Sequence, residues 1–345
     1  MYQGQRIAVV IPAYREAARV ADVVRGLPPW VDHIVVVDDA SDDGTAEAAA
    51  SANDARLLVL RHGENQGVGG ATITGFNKAC ELGATVLVKM DGDGQMDPAQ
   101  LPALLGPICR GEADFTKGNR FLHARQLQQM PLLRRLGNIG LSFLAKLASG
   151  YWNVFDPTNG FVAIHASVWK MLDQGRLARR FFFENSLLLE LGLARAVVRD
   201  VYVPARYNDK VSHLSEGRTL LEFPPLLLRG LCRRLVIQYF VRDFNAVSLF
   251  LITGTTATAF GLGWGLYHWR HSVLTGTVAT TGTVMIAVLP LIFGVQLLLQ
   301  ALVMDVQSVP RDPLHLGQCL HQPDTTGDRT DCNESPAQIP PVTRM

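Results

Sequence analysis

Two carboxylates and an amide fall close together in Asp91-Gly92-Asp93-Gly94-Gln95. Oxygen ligands of this kind suit Mg²⁺ or Mn²⁺, hard cations that proteins often share with a substrate's phosphates. Residues 85–90 just ahead form an apolar run with the length and composition of a buried parallel strand. Asp97-Pro98 behind reads as a helix N-cap followed by proline at the first helical position. The carboxylates therefore stand where a strand leaves its sheet, and in open α/β sheets ligands bind at that edge. Gly92 and Gly94 permit a tight turn and the close approach of a bulky ligand. Taken alone, Asp-x-Asp is also the composition of a solvated turn, so the surrounding elements decide.

Residues 6–12 read as a buried strand, and residues 16–27 as a helix with Ala17, Val20, Val24 and Leu27 on one face. A second strand, 33–37, ends in Asp38-Asp39 before a helix at 45–52, and a third strand covers 56–60. Asn65-Gln66-Gly67-Val68-Gly69-Gly70-Ala71 opens a helix through residue 81, and a further helix is expected over 98–110. This alternation predicts an α/β fold with a doubly wound, mostly parallel sheet. Three polar or acidic strand ends then share one rim: residues 14–16, Asp38-Asp39 and residues 91–95. Carboxylates there can accept hydrogen bonds from ribose hydroxyls and base N–H groups, and a divalent cation can neutralise a diphosphate. Gly67-Val68-Gly69 is no dinucleotide fingerprint, because position 72 is threonine and the segment follows the third strand instead of the first. No phosphate-binding G-x-x-x-x-G-K-[ST] loop is present.

In VVIPAYREA (9–17), VVDDASDDGT (36–45), NQGVGGA (65–71) and MDGDGQMDP (90–98), the chain resembles the family-2 glycosyltransferases of the GT-A fold. Within them it looks most like the dolichyl- or polyprenyl-phosphate sugar synthases. The resemblance covers roughly residues 6–215. It implies that Pro12, Tyr14 and Glu16 hold the base and ribose with help from Asp39, that Asp93 and Gln95 bind the metal, and that Asp91 faces the ribose or metal-bound water. The lesser alternative for Asp38 and Asp39 is that they are simple helix caps. Arg120, in Lys117-Gly118-Asn119-Arg120, matches an arginine that faces the diphosphate or the acceptor phosphate, a role its planar fork suits. Asn159 lies in a turn resembling the acceptor-side loop. Glu184 matches an acidic helix start and is either a base, a sugar-hydroxyl acceptor or a structural carboxylate. Arg206 and Lys210 are candidate phosphate contacts in a looser match.

The chain has 345 residues, 48% of them hydrophobic, and a formal net charge of +1, which argues against a nucleic-acid binder. Its five scattered cysteines lack metal-site spacing and read as reduced thiols facing the cytosol. Residues 246–267 and 283–304 contain no Asp, Glu, Lys or Arg and are each long enough to span a bilayer as a helix. Residues 220–244 interleave Arg229, Arg233, Arg234 and Arg242 with apolar side chains, the pattern of a helix lying on an anionic leaflet. The expected organisation is a catalytic domain over 1–215, an interfacial segment over 216–245, a two-span hairpin over 246–304 and a disordered tail over 305–345. By the basic flank, the catalytic domain and the tail lie on the cytoplasmic side of the cell membrane.

A nucleotide-sugar site beside a membrane predicts an inverting enzyme that moves a sugar from a UDP- or GDP-sugar to a polyprenyl phosphate, with Mg²⁺ or Mn²⁺. A homo-oligomer stays open. The rivals are a processive polysaccharide synthase, against which stand the missing Q-x-x-R-W motif and only two spans, and a non-catalytic membrane sensor of nucleotide-sugars.

Overall fold

The computed structural model describes residues 1–119, 132–156, 159–203 and 216–319. Arg120, Arg206 and Lys210 lie outside the described residues. Seven strands, β1 (Ile7–Ala13), β2 (His33–Asp38), β3 (Leu57–Arg61), β4 (Val86–Lys89), β5 (Phe115–Asn119), β6 (Val162–His165) and β7 (Val198–Tyr202), form one sheet in the order β3-β2-β1-β4-β6-β5-β7. All neighbours pair in parallel except at β6, which runs antiparallel to both β4 and β5. The reversal brings the entry to β6 onto the same rim as the exits from β1, β2 and β4.

On one face of the sheet lie α1 (Val20–Arg25), α2 (Thr45–Ala50) and, beyond them, α4 (Leu101–Cys109); there Ile7, Val9, Val86 and Val88 join Val24, Leu101 and Leu105 in a buried core. On the other face, α3 (Gly67–Glu81), α6 (Ala166–Met171) and α7 (Phe183–Ala194) cover Val10, Leu87 and Phe115, with Phe76 set edge-on against Trp169. Helix α1 starts later than its apolar spacing predicts. Residues ahead of it are held in a turn, where Glu16 N donates to Thr45 Oγ1 and Ala17 N to Asp43.

The glycines of 65–71 have a packing function. Gly70 N donates to the Arg179 carbonyl, and a methyl on Gly69 would collide with the Ala178 carbonyl and come within 2.9 Å of the Arg179 carbonyl oxygen. Both are backbone atoms that cannot swing aside. Gly69→Ala is therefore expected to cost about 1–3 kcal/mol, the usual range for overpacking, read as a lower thermal midpoint. An unchanged midpoint would contradict so close an approach.

Past the sheet, α5 (Leu132–Ser149) packs on α8 (Glu216–Val236) through Ala145, Ala148, Phe223 and Leu227, and a π-helical segment, Ile237–Arg242, continues α8. Two helices follow that are long and apolar enough to cross a membrane, α9 (Ala246–Thr275) and α10 (Thr281–Gln307). They approach closely where methyls on Gly254 and Gly261 would lie 3.0 and 2.7 Å from carbonyls of α10, the small-residue packing of membrane helices. A methyl on Gly263 would meet only open space.

Two expectations change here. Two arginines of 220–244 turn inward instead of toward headgroups, Arg233 to Glu190 and Arg234 to Asp305, while Arg242 is exposed and donates to the Leu193 carbonyl. Arg229 stays exposed, as do Leu226, Leu228, Phe240 and Val241. Nor is the whole of 305–345 a loose tail. Residues 305–319 return to the sheet, where α11 (Leu314–Cys319) docks on Asp114 at the edge opposite the acidic rim. Residues 320–345 lie outside the described residues.

Candidate active site

The exits of β1, β2 and β4 are stitched together by backbone. Asp39 N donates to the Ala13 carbonyl at 2.9 Å, and a methyl on Gly92 would rest 3.4 Å from Ala13 Cβ and 3.6 Å from the Pro12 carbonyl. Pro12 is buried and Tyr14 is 45% exposed, its ring 5.3 Å from the Arg15 guanidinium, which in turn grips Asp42. Gly94 has φ +74°, the left-handed turn that lets the chain reverse; Asp93 Oδ1 accepts from Gln95 N at 2.9 Å, and Arg19 donates to the Asp93 carbonyl. Asp91, Asp93 and Gln95 are all partly exposed on this turn.

Asp39 sits behind the rim. It is 2% exposed and accepts from Gln66 N, Gly67 N and the His62 ring, and so anchors the start of α3. Its neighbour Asp38 is also buried; Oδ1 accepts from Ser41 N, whereas Oδ2 has no aligned donor, although Arg61 Nε lies 3.3 Å away.

On the α7 face, two lysines that sequence reasoning passed over stand beneath the rim. Strand register sets Lys89, Val162, Lys117 and Asp200 side by side across β4, β6, β5 and β7, so both lysines project to one face. Lys89 Nζ lies 2.7 Å from Asp91 Oδ1, 3.2 Å from Glu184 Oε1 and 3.4 Å from the Gly160 carbonyl. Burial works against its charge, but Asp91 and Glu184 outweigh burial and raise its pKa. Lys117 donates to the Asn159 carbonyl, which ties the residue expected on the acceptor side to β5. The structure thus gathers Pro12, Tyr14, Glu16, Asp91, Asp93, Gln95, Asn159 and Glu184 around one edge. The signal for Lys89 was a lone charge in an apolar strand, two residues before a carboxylate and hence on the same side of the strand.

Burial lowers the Lys117 pKa to about 8, more than Glu184, Asp156 and Asp200 can offset. Below that pH the folded and unfolded chains both carry the proton, and the folded one bears the cost of burying it. Between about 8 and 10.5 the folded chain releases the proton first, so stability rises with pH through this window. Relative to Lys117→Met, the wild-type thermal midpoint should climb between pH 7.5 and 9.5; a falling difference would refute the assignment.

The donor set of the rim is all oxygen: two carboxylates and the Gln95 amide. That chemistry fits a hard divalent cation. Among the described residues no three His, Cys, Asp or Glu side chains converge to hold a metal ion.

The model of the glycosyl transferase family 2 domain matches residues 8–172, which contain the exits of β1, β2 and β4 with their acidic residues, and Asn159, but not Glu184. The UDP-N-acetylglucosamine–dolichyl-phosphate N-acetylglucosaminyltransferase of Methanococcus voltae is 35% identical over 216 residues, 57% of this chain and 86% of the relative. The undecaprenyl-phosphate mannosyltransferase of Micrococcus luteus is 34% identical over 210 residues, 59% of this chain and 84% of the relative. Among solved structures, the mannosyl-3-phosphoglycerate synthase of Rubrobacter xylanophilus superposes with a TM-score of 0.50 at 19% identity, over 70% of this chain and 77% of that one, a likeness of fold. With the family model matched over residues 8–172 and two relatives aligned over most of their length at 34–35% identity, the chain belongs to glycosyl transferase family 2 and is a glycosyltransferase.

Proposed function

We propose that this glycosyltransferase moves a sugar from a UDP- or GDP-sugar to a polyprenyl phosphate at a membrane surface, with inversion at the anomeric carbon. One observation carries the reading: the acidic rim and two helices long and apolar enough to cross a membrane belong to one packed chain, joined through Arg234 and Asp305. Two relatives named for polyprenyl- or dolichyl-phosphate acceptors support it.

Pro12, Tyr14 and Glu16 would bound the base and ribose, and Asp38 offers a buried oxygen still lacking an aligned donor. Asp93 and Gln95 would hold the cation, with Asp91 beside them. When bound, Mg²⁺ or Mn²⁺ supplies charge neutralisation to the leaving diphosphate. Lys117, by pinning the Asn159 carbonyl, fixes the loop on the acceptor side. Glu184 has one oxygen on Lys89, which makes it a poor general base. An ionised acceptor phosphate needs none. In this reading the catalytic domain lies on the cytoplasmic face, with α9 and α10 as a hairpin.

Purified protein in detergent with Mn²⁺ or Mg²⁺, polyprenyl phosphate and a panel of UDP- and GDP-sugars tests this. A radiolabelled, chloroform-soluble product from one donor is expected. Product formed only on a soluble sugar or protein acceptor would discard the lipid acceptor, and no turnover across the panel would discard the reaction.

A further inference from the structure

We propose that Lys89 is a positioning residue that aims the Asp91 carboxylate into the nucleotide and metal site and ties it to Glu184 on α7. The inference rests on the proposed metal-dependent use of a nucleotide-sugar, and assigns a further residue to it.

Lys89 is 1% exposed. An ammonium has three N–H donors, and Asp91 Oδ1, Glu184 Oε1 and the Gly160 carbonyl account for three acceptors. Lys89 is therefore turned wholly inward, toward groups that themselves reach the rim. Asp91 is the most open of the three side chains, 33% exposed against 10% for Glu184 and 1% for Lys89. With Oδ1 held by Lys89, rotation of the Asp91 carboxylate is restricted. Removing the ammonium would leave two carboxylates sharing one small volume and pushing apart.

Gly160 shows how tight the volume is. A methyl on it would lie 2.5 Å from Lys89 Nζ, 2.9 Å from Asp91 Oδ2 and 3.5 Å from Glu184 Oε1. A side chain at 160 is a wedge between Lys89 and Asp91. The glycine also places the Asn159 loop against the cluster, so the same ammonium touches the β4 exit, α7 and the loop before β6. Its partners lie 2, 71 and 95 residues away in sequence.

The test is Mn²⁺-dependent binding of UDP and GDP to the full chain in detergent, with the thermal midpoint recorded for every variant. Lys89→Met leaves Glu184 uncompensated and risks misfolding, so it is paired with Glu184→Gln to restore the charge balance. The double variant should keep a near wild-type midpoint while the Mn²⁺ concentration for half-maximal nucleotide binding rises at least tenfold. Lys89→Arg should recover part of that loss. Gly160→Ala removes no charge and should show the same rise, which covers the case in which the double variant does not fold. Wild-type Mn²⁺ dependence in a folded double variant, or in Gly160→Ala, overturns the proposal. Wild-type protein that binds nucleotide with Mn²⁺ but transfers no sugar to polyprenyl phosphate refutes the reaction proposed above and leaves this test intact. Wild-type protein without metal-dependent nucleotide binding overturns both.

Discussion

Asp93→Ala is expected to lower sugar transfer by about a thousandfold or more, the scale on which removal of a group that stabilises transition-state charge is felt, while the protein stays folded. Asp93 sits on a partly exposed turn, outside the buried apolar core, and among the contacts it would lose is the 2.9 Å bond from Gln95 N. Truncation thus strips an anionic oxygen from the proposed metal site without opening a cavity. The loss should fall on kcat and on the metal requirement together, because neutralisation of the diphosphate matters most as the bond to the leaving group breaks. Transfer of label to a chloroform-soluble product, titrated with Mn²⁺, measures it, with thermal unfolding as the control. Near-normal, metal-dependent turnover in the variant would remove Asp93 from the metal site.

A second large effect is expected far from the chemistry. Asp305, near the end of α10, is 4% exposed and receives both terminal nitrogens of Arg234 at 2.8 and 3.0 Å, the Tyr239 hydroxyl at 2.5 Å and the Trp152 indole N–H at 3.2 Å. Arg234 is 2% exposed and also donates to the Leu147 carbonyl and Gln238. One carboxylate thereby joins α10 to α8, to the π-helical segment and to the residues after α5. Asp305→Ala leaves a buried guanidinium without its counter-charge, and breaking a buried pair this way costs about 3–5 kcal/mol. The thermal midpoint in detergent should fall steeply. Replacing both partners by apolar residues, Asp305→Leu with Arg234→Met, should recover most of the loss, since a well-packed apolar pair avoids the desolvation of two charges. If the single variant is as stable as wild type, the junction does not hold the hairpin to the domain.

Much of this protein was legible in order along the chain. The alternation of strands and helices, the acidic turn after β4, and the two long uncharged runs within α9 and α10 are written in local composition and periodicity, and each recurs in the structure close to its expected place. The motifs at 9–17, 36–45, 65–71 and 90–98 carried the family through their resemblance to family-2 glycosyltransferases, and the family match over residues 8–172 contains all four. Glycine at 69 was readable as a motif, although its reason, a carbonyl of residue 178 pressed against it, was not.

What tertiary structure alone decided is which charge meets which. Arg233 and Arg234 look like headgroup ligands until α7 and α10 bring Glu190 and Asp305 to them. Lys89 reads as an interruption in a strand until α7 supplies Glu184. Asp114 and His315, 201 residues apart, turn an expected loose tail into a docked segment, with His165 stacked on His315 at 4.5 Å. Periodicity reports which side of an element is apolar, a property of the element by itself. An ion pair needs two elements at a set distance, and that distance is fixed only when the sheet closes its order and the helices pack on it.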